Sequence, residues 1–174
     1  LFVGTKKQAR DVVVNSATAA GQPYVTERWL GGMLTNASTI QSQIKKLKLL
    51  EKRMATGELA NRYNKLEVQR FQEEIDALNV KYGGIKDMKG RPGALFVLDA
   101  VADRNAVNEA VKLGLPVIAI CDTNADPTGV TYPIPANDDA ISSLSAIADY
   151  VVAAVKAGES VAAKKSDDAK KEDK

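Results

Sequence analysis

Two stretches of this chain are apolar at almost every position and end in aspartate: Ala94-Leu95-Phe96-Val97-Leu98-Asp99 and Pro116-Val117-Ile118-Ala119-Ile120-Cys121-Asp122. A strand with no polar alternation has to be covered on both faces, the condition of a parallel sheet sandwiched between helices. The amphipathic run Asn105 to Leu113, closed by Gly114, lies between them as a crossover helix would. The same unit opens the chain. Leu1-Phe2-Val3 reads as strand and Gly4-Thr5-Lys6 as turn, and Ala9, Val12, Val13, Ala17 and Ala20 recur at helical spacing over Lys7 to Ala20. Gly21 supplies a left-handed cap, and Pro23-Tyr24-Val25-Thr26 begins a second short strand. Residues 1–35 and 83–158 are therefore expected to form one α/β sheet domain. Because the chain opens inside a strand and without methionine, a preceding segment is expected as well.

Past Asp122, the loop Thr123 to Gly129 leads to an extended Tyr132-Pro133-Ile134-Pro135. Asn137 or Asp138 then caps a final helix from Asp139 to Ala157, which Gly158 stops. Residues 159–174 carry Val161 as their one sizeable apolar side chain, so a disordered charged tail is expected.

Residues 36–82 interrupt the strand-helix alternation. Ile40, Ile44, Leu47, Leu50 and Met54 fall at steps of 4, 3, 3 and 4 on one helical stripe. Thr56-Gly57 breaks the pattern. A second helix is expected from Leu59 to Lys81, with a phase slip near Arg70, and the pair reads as an inserted antiparallel helical hairpin, a coiled-coil subdomain. Lys45, Lys46, Lys48, Lys52 and Arg53 sit off the stripe and give the first arm a basic surface.

Charge is divided unevenly along the chain. Residues 1–98 hold 16 Lys+Arg against 9 Asp+Glu, a net of +7, whereas residues 99–174 hold 8 against 13, a net of −5. A basic half attracts polyanions. The chain contains no histidine and one cysteine, Cys121, which rules out an internal disulfide and removes the commonest general base. Placed inside an apolar strand, Cys121 reads as an inert thiol. With no uninterrupted apolar run of about 18 residues and no signal-peptide pattern, a cytoplasmic location is expected.

Three groups of residues suggest chemistry. Gly4-Thr5-Lys6-Lys7 stands at a strand-to-helix turn, a frequent phosphate site, but without the GxxxxGK[ST] or GxGxxG spacing that nucleotide cradles use. Asp99, Asp103, Asp122, Asp126, Asp138 and Asp139 fall at strand ends, where carboxylates can hold Mg²⁺ or cap turns, and capping is the favoured reading. In Glu27-Arg28-Trp29-Leu30-Gly31-Gly32-Met33-Leu34-Thr35-Asn36, the only tryptophan is expected to pack at the base of the insertion. Thr35 or Asn36 would cap the helix that follows, and Arg28 would reach a phosphate.

The order FVGTKKQA, ERWLGGMLTN, TIQSQIKKLKLLE, GGIKDM, ALFVLD and PVIAICDTNADPTGVTYPIPANDDAI closely resembles the bacterial small-subunit ribosomal protein 2 family over residues 1 to about 150. The resemblance implies a Rossmann-like or flavodoxin-like sheet carrying a helical hairpin. It also implies a non-enzymatic structural role in the small ribosomal subunit in the cytoplasm, rRNA binding and help in recruiting ribosomal protein 1, with no cofactor or metal. The chain departs from the family pattern at Glu27, where members usually carry His or Arg, and at Ala136, where they usually carry Gly. Expected rRNA contacts are Lys6, Lys7, Arg28, Asn36, Lys45, Lys48, Lys86, Lys89 and Arg91, acting mainly on phosphate. A nucleotide or sugar-phosphate binder using the crevice, and a module recruiting protein through the insertion, are the competing readings.

Overall fold

All the apolar runs become strands of one parallel sheet. The computed structural model of the chain describes residues 1–172, with side chains through Ala162. Strands β1 (Phe2–Val3), β2 (Tyr24–Val25), β3 (Leu95–Val97), β4 (Val117–Cys121) and β5 (Tyr132–Pro135) lie in the order β2-β1-β3-β4-β5, with every pairing parallel. That order is flavodoxin-like, and its reversal between β1 and β3 places the ligand crevice of such folds at their C-terminal ends. The central strand is closed off on both sides: Leu95, Phe96, Val97 and Leu98 are all buried.

Alternation along the strands sends side chains into two cores. Val3, Leu95, Val97, Val117 and Ala119 share one with helices α2 (Ala37–Ala55) and α5 (Arg104–Lys112). Phe2, Phe96, Leu98 and Ile120 share the other with α1 (Arg10–Ala19) and α6 (Ile141–Glu172). Phe2 and Phe96 meet edge to face, 5.4 Å between ring centres. Helix α1 ends as its glycine requires: Gly21 takes φ +62°, its N–H donates to Thr18 O, and Gln22 N–H donates to Ala17 O. Those two bonds make a Schellman cap.

The insertion differs from expectation in three ways. First, its second arm is two helices, α3 (Glu58–Arg62) and α4 (Lys65–Tyr82). Asn64 starts α4 through a capping box in which Asn64 Oδ1 accepts from Glu67 N at 2.9 Å and Glu67 Oε2 from Asn64 N at 3.0 Å. The break therefore lies at Tyr63-Asn64 and not near Arg70, and Tyr63 folds back onto Phe71, their ring centres 5.1 Å apart. Second, α2 is no free arm, because Ile40, Leu47 and Leu50 belong to the same buried cluster as the sheet. It is the crossover helix after β2.

Third, the bonds joining α2 to α4 are not those of an antiparallel hairpin. Lys46 meets Glu74, and Asn79 Nδ2 donates to Glu51 Oε1 at 2.9 Å, both across 28 residues of sequence. An antiparallel pair would show the partner number falling as the first rises. Lys86 beside Glu51 (3.3 Å) and Lys48 beside Asp87 (2.9 Å) fix the sense, because they bring the end of α2 to the segment that enters β3. Helices α2 and α4 run the same way, and the stretch containing α3 returns between them.

After α4, a 3-10 turn at Gly83–Ile85 presses on β2. A Cβ at Gly84 would land on the carbonyl oxygen of Tyr24 and within 2.8 Å of two of its ring carbons. Since backbone cannot be moved aside cheaply, Gly84→Ala is expected to lower the unfolding free energy by about 2 kcal/mol, in the range for overpacking. Urea unfolding checks this, with Gly31→Ala, where a Cβ meets nothing within 4 Å, as the neutral control.

The last helix also departs from expectation. α6 passes through Gly158 and continues to Glu172, where composition predicts a disordered tail over residues 159–174; Asp173 and Lys174 lie outside the described residues. Gly158 does not adopt a positive φ, and the Ala, Lys and Glu around it are strong helix formers. The Ile141–Ala162 portion of α6 is long and apolar enough to cross a membrane by composition. Leu144, Ala148 and Val152 instead pack into the second sheet core.

Candidate nucleic-acid interface

No helix or strand runs between Val25 and Ala37, yet this stretch is tightly defined. Its organiser is Glu109 on α5. One carboxylate oxygen accepts from Trp29 Nε1 (3.1 Å) and Gly32 N (2.7 Å); the other accepts from Leu34 N (3.0 Å), Thr35 N (3.1 Å) and Thr35 Oγ1 (3.1 Å). Met33 N–H goes to Leu30 O and Asn36 N–H to Gly32 O. Three of the five consecutive amides from Gly32 to Asn36 thus end on one side chain. Burial alone pushes the Glu109 carboxyl up, but the donors from Thr35, Trp29, Leu34 and Gly32 outweigh it and hold the group below the ordinary glutamate range. Trp29, Met33 and Leu34 are buried, which bears out the structural reading of the tryptophan, whereas Arg28, Thr35 and Asn36 face outward. Asn36 occupies the N-cap position of α2 without bonding its amides; its Oδ1 accepts from the hydroxyls of Ser38 (3.3 Å) and Thr39 (3.1 Å).

At the crevice, Lys6 is occupied by carboxylates. Its Nζ lies 3.2 Å from Asp99, 2.6 Å from Asp138 and 2.7 Å from Asp139. Burial by itself would lower the lysine pKa; the three carboxylates outweigh it and raise it above the ordinary value. Of the expected rRNA contacts, Lys6 is thus the one already held by three carboxylates. Asp99, Asp122 and Asp126 act as turn caps in the way sequence favours, and Asn137 rather than Asp138 accepts from the amides that enter α6. Asp99 Oδ1 accepts from Val101 N and Ala102 N, each at 2.8 Å, Asp126 Oδ1 from Thr128 N at 2.9 Å, and Asp122 from Thr123 N and Asp138 N. Asp103 accepts from Thr5 N at 3.0 Å, and its pKa is raised, mainly by burial. Cys121 is buried in β4, and that burial pushes its thiol pKa up.

The remaining expected contacts fall into two groups joined by α2. Lys7, Arg28 and Asn36 lie beyond the C-terminal ends of β1 and β2, exposed. Lys48, Lys86, Lys89 and Arg91 gather at the opposite edge, where the loop after the 3-10 turn enters β3, and Lys89 and Arg91 rim a groove of about 630 Å³ floored by Phe2, Pro23 and Ile118. Lys45 stands on the outer side of α2 between them. Among the described residues, Lys7, Arg28, Lys45, Lys89 and Arg91 have no carboxylate within salt-bridge distance. Lys48 and Lys86 are paired with Asp87 and Glu51 at the surface, where such pairs are weak and exchangeable. Sequence reasoning missed Glu109, because a Glu inside an amphipathic helix carries no mark of an internal partner 80 residues away.

Comparison with known proteins accords with the motif order. The sequence profile of the family described as Ribosomal protein S2 matches residues 1–158. A small ribosomal subunit protein uS2 from Rhodospirillum rubrum is 52% identical over 151 residues, covering 87% of this chain and 57% of that protein. Proteins of the same name from Bifidobacterium longum and Fusobacterium nucleatum are 49% and 48% identical over 158 residues each, covering 91% of this chain and 56% and 64% of theirs. The chain thus spans little more than half the length of the curated relatives it matches.

Proposed function

The chain belongs to the ribosomal protein S2 family, and from that premise we propose that it is a structural constituent of the small ribosomal subunit in the cytoplasm, docking on small-subunit rRNA and helping to recruit ribosomal protein 1. The observation that carries the rRNA part is the set of cations without a carboxylate partner among the described residues, from Lys7 and Arg28, past Lys45, to Lys89 and Arg91. With about 1.5 Å of rise per helical residue, α2 sets its two ends roughly 27 Å apart, a span that reaches several phosphates. Asn36 contributes a neutral polar contact, and Lys48 and Lys86 can exchange their surface carboxylates for phosphate. Residues 99–174, net −5, are left to face solvent or protein.

An enzymatic reading finds little support at the crevice. Lys6 and three aspartates fill the position where a flavodoxin-like sheet would seat its ligand. Replacing both Lys89 and Arg91 by Ala is expected to flatten the dependence of log K on log salt for rRNA binding by up to about 0.9 for each phosphate no longer neutralised, on the duplex scale. Titrating purified chain with small-subunit rRNA across a KCl series measures it. An unchanged slope would remove that loop from the interface.

A further inference from the structure

We propose that Glu109 is a positioning residue for rRNA binding: by holding the stretch from Trp29 to Thr35 in one conformation, it fixes where Arg28 and Asn36 meet the RNA. This rests on the function proposed above.

Residues between Val25 and Ala37 have no ladder or helix to satisfy their amides, so an isolated segment of this composition would sample many conformations. Here the two oxygens of one buried carboxylate take five donors within 2.7 to 3.1 Å, drawn from both ends and the middle of the segment. Arg28 immediately precedes the first donor residue and Asn36 immediately follows the last. Both are exposed, and neither has a carboxylate partner of its own among the described residues. Their backbone geometry is therefore set from inside the protein by a residue that never reaches the surface. A phosphate contact made by a pre-ordered side chain avoids the entropy of ordering it on binding. Glu109 touches neither RNA nor Arg28, so it acts only through the loop.

The test uses purified chain, labelled small-subunit rRNA and a KCl series, with Arg28→Ala, Glu109→Gln and the double variant. Arg28→Ala and Glu109→Gln are each expected to weaken binding by about tenfold and to flatten the salt slope by the equivalent of about one phosphate. The double variant should be no weaker than Glu109→Gln alone, the signature of residues acting through one another. Lys45→Ala, on the exposed side of α2 and outside the loop, should instead add to Glu109→Gln. Should Glu109→Gln fail to fold by circular dichroism, Trp29→Phe and Thr35→Val each remove a single side-chain donor, and each should weaken binding by roughly threefold to fivefold, in line with one bond. Folded variants that bind with wild-type affinity and slope would overturn the proposal, as would effects of Arg28→Ala and Glu109→Gln that simply add. If the wild-type chain binds this rRNA no better than an unrelated RNA of equal length, the docking function itself fails and this inference falls with it.

Discussion

Replacing Glu109 by Ala is expected to lower the unfolding free energy by about 3 to 5 kcal/mol, since removing one partner of a buried charged network leaves several donors unmet. Five donors lose their acceptor at once: the indole N–H of Trp29, the amides of Gly32, Leu34 and Thr35, and the Thr35 hydroxyl. The urea midpoint should fall while the slope of the transition stays near wild type. Glu109→Gln keeps the shape and one acceptor oxygen but turns an amide NH₂ toward the other donors, so its loss should be about half as large. The pH dependence follows from the direction of the shift. With the folded pKa held below the ordinary glutamate value of about 4.5, the unfolded chain binds the proton more readily. Glu109's contribution is complete above that value and is lost as pH falls through the lower folded pKa. The gap between wild type and Glu109→Gln should therefore be constant near neutrality and shrink in acid.

Lys6→Ala is the second large effect, at about 3 kcal/mol. It strands Asp99 and Asp138, whose side chains are 6% and 5% exposed, with no cation between them; Asp139, at 70%, is left to water. Three strand-end segments lose their common tie, the turn after β1, the end of β3 and the entry to α6. Lys6→Met, which keeps the stem and drops the charge, should recover little. Because the folded pKa of Lys6 lies above its ordinary value of 10.5, its contribution is complete below that value and is lost only at higher pH, so the deficit should be flat from about pH 6 to 9. Thermal unfolding across that range measures it. The salt slope of rRNA binding should not change in folded Lys6→Ala, in contrast to Lys89 and Arg91.

What could be read in the sequence was whatever repeats locally. Period and burial run together in Leu95 to Leu98 and in the stripe from Ile40 to Met54, so the α/β class and most element positions were legible. Gly21 and Gly114 marked helix ends because left-handed backbone has few other tenants. The start of α4 was missed, although Asn64 followed three residues later by Glu67 marks it, because periodicity alone put the irregularity near Arg70. Periodicity has no direction, so nothing in the apolar spacing of residues 65–82 told whether that helix runs with α2 or against it. Pairings across long separations were equally silent. Lys6 and Asp138 are 132 residues apart, and a lysine after a strand looks the same whether it faces phosphate or carboxylate. The candidate interface was thus legible as a set of basic side chains, while its internal support was not.

The side-by-side placement of Glu51 with Lys86, and of Lys48 with Asp87, brings the end of α2 against the stretch of chain that leads into β3. Because Ile75, Tyr82 and Ile85 of the intervening stretch are buried in the same core as Leu47 and Leu50, a change in its length would be felt in the packing over the sheet.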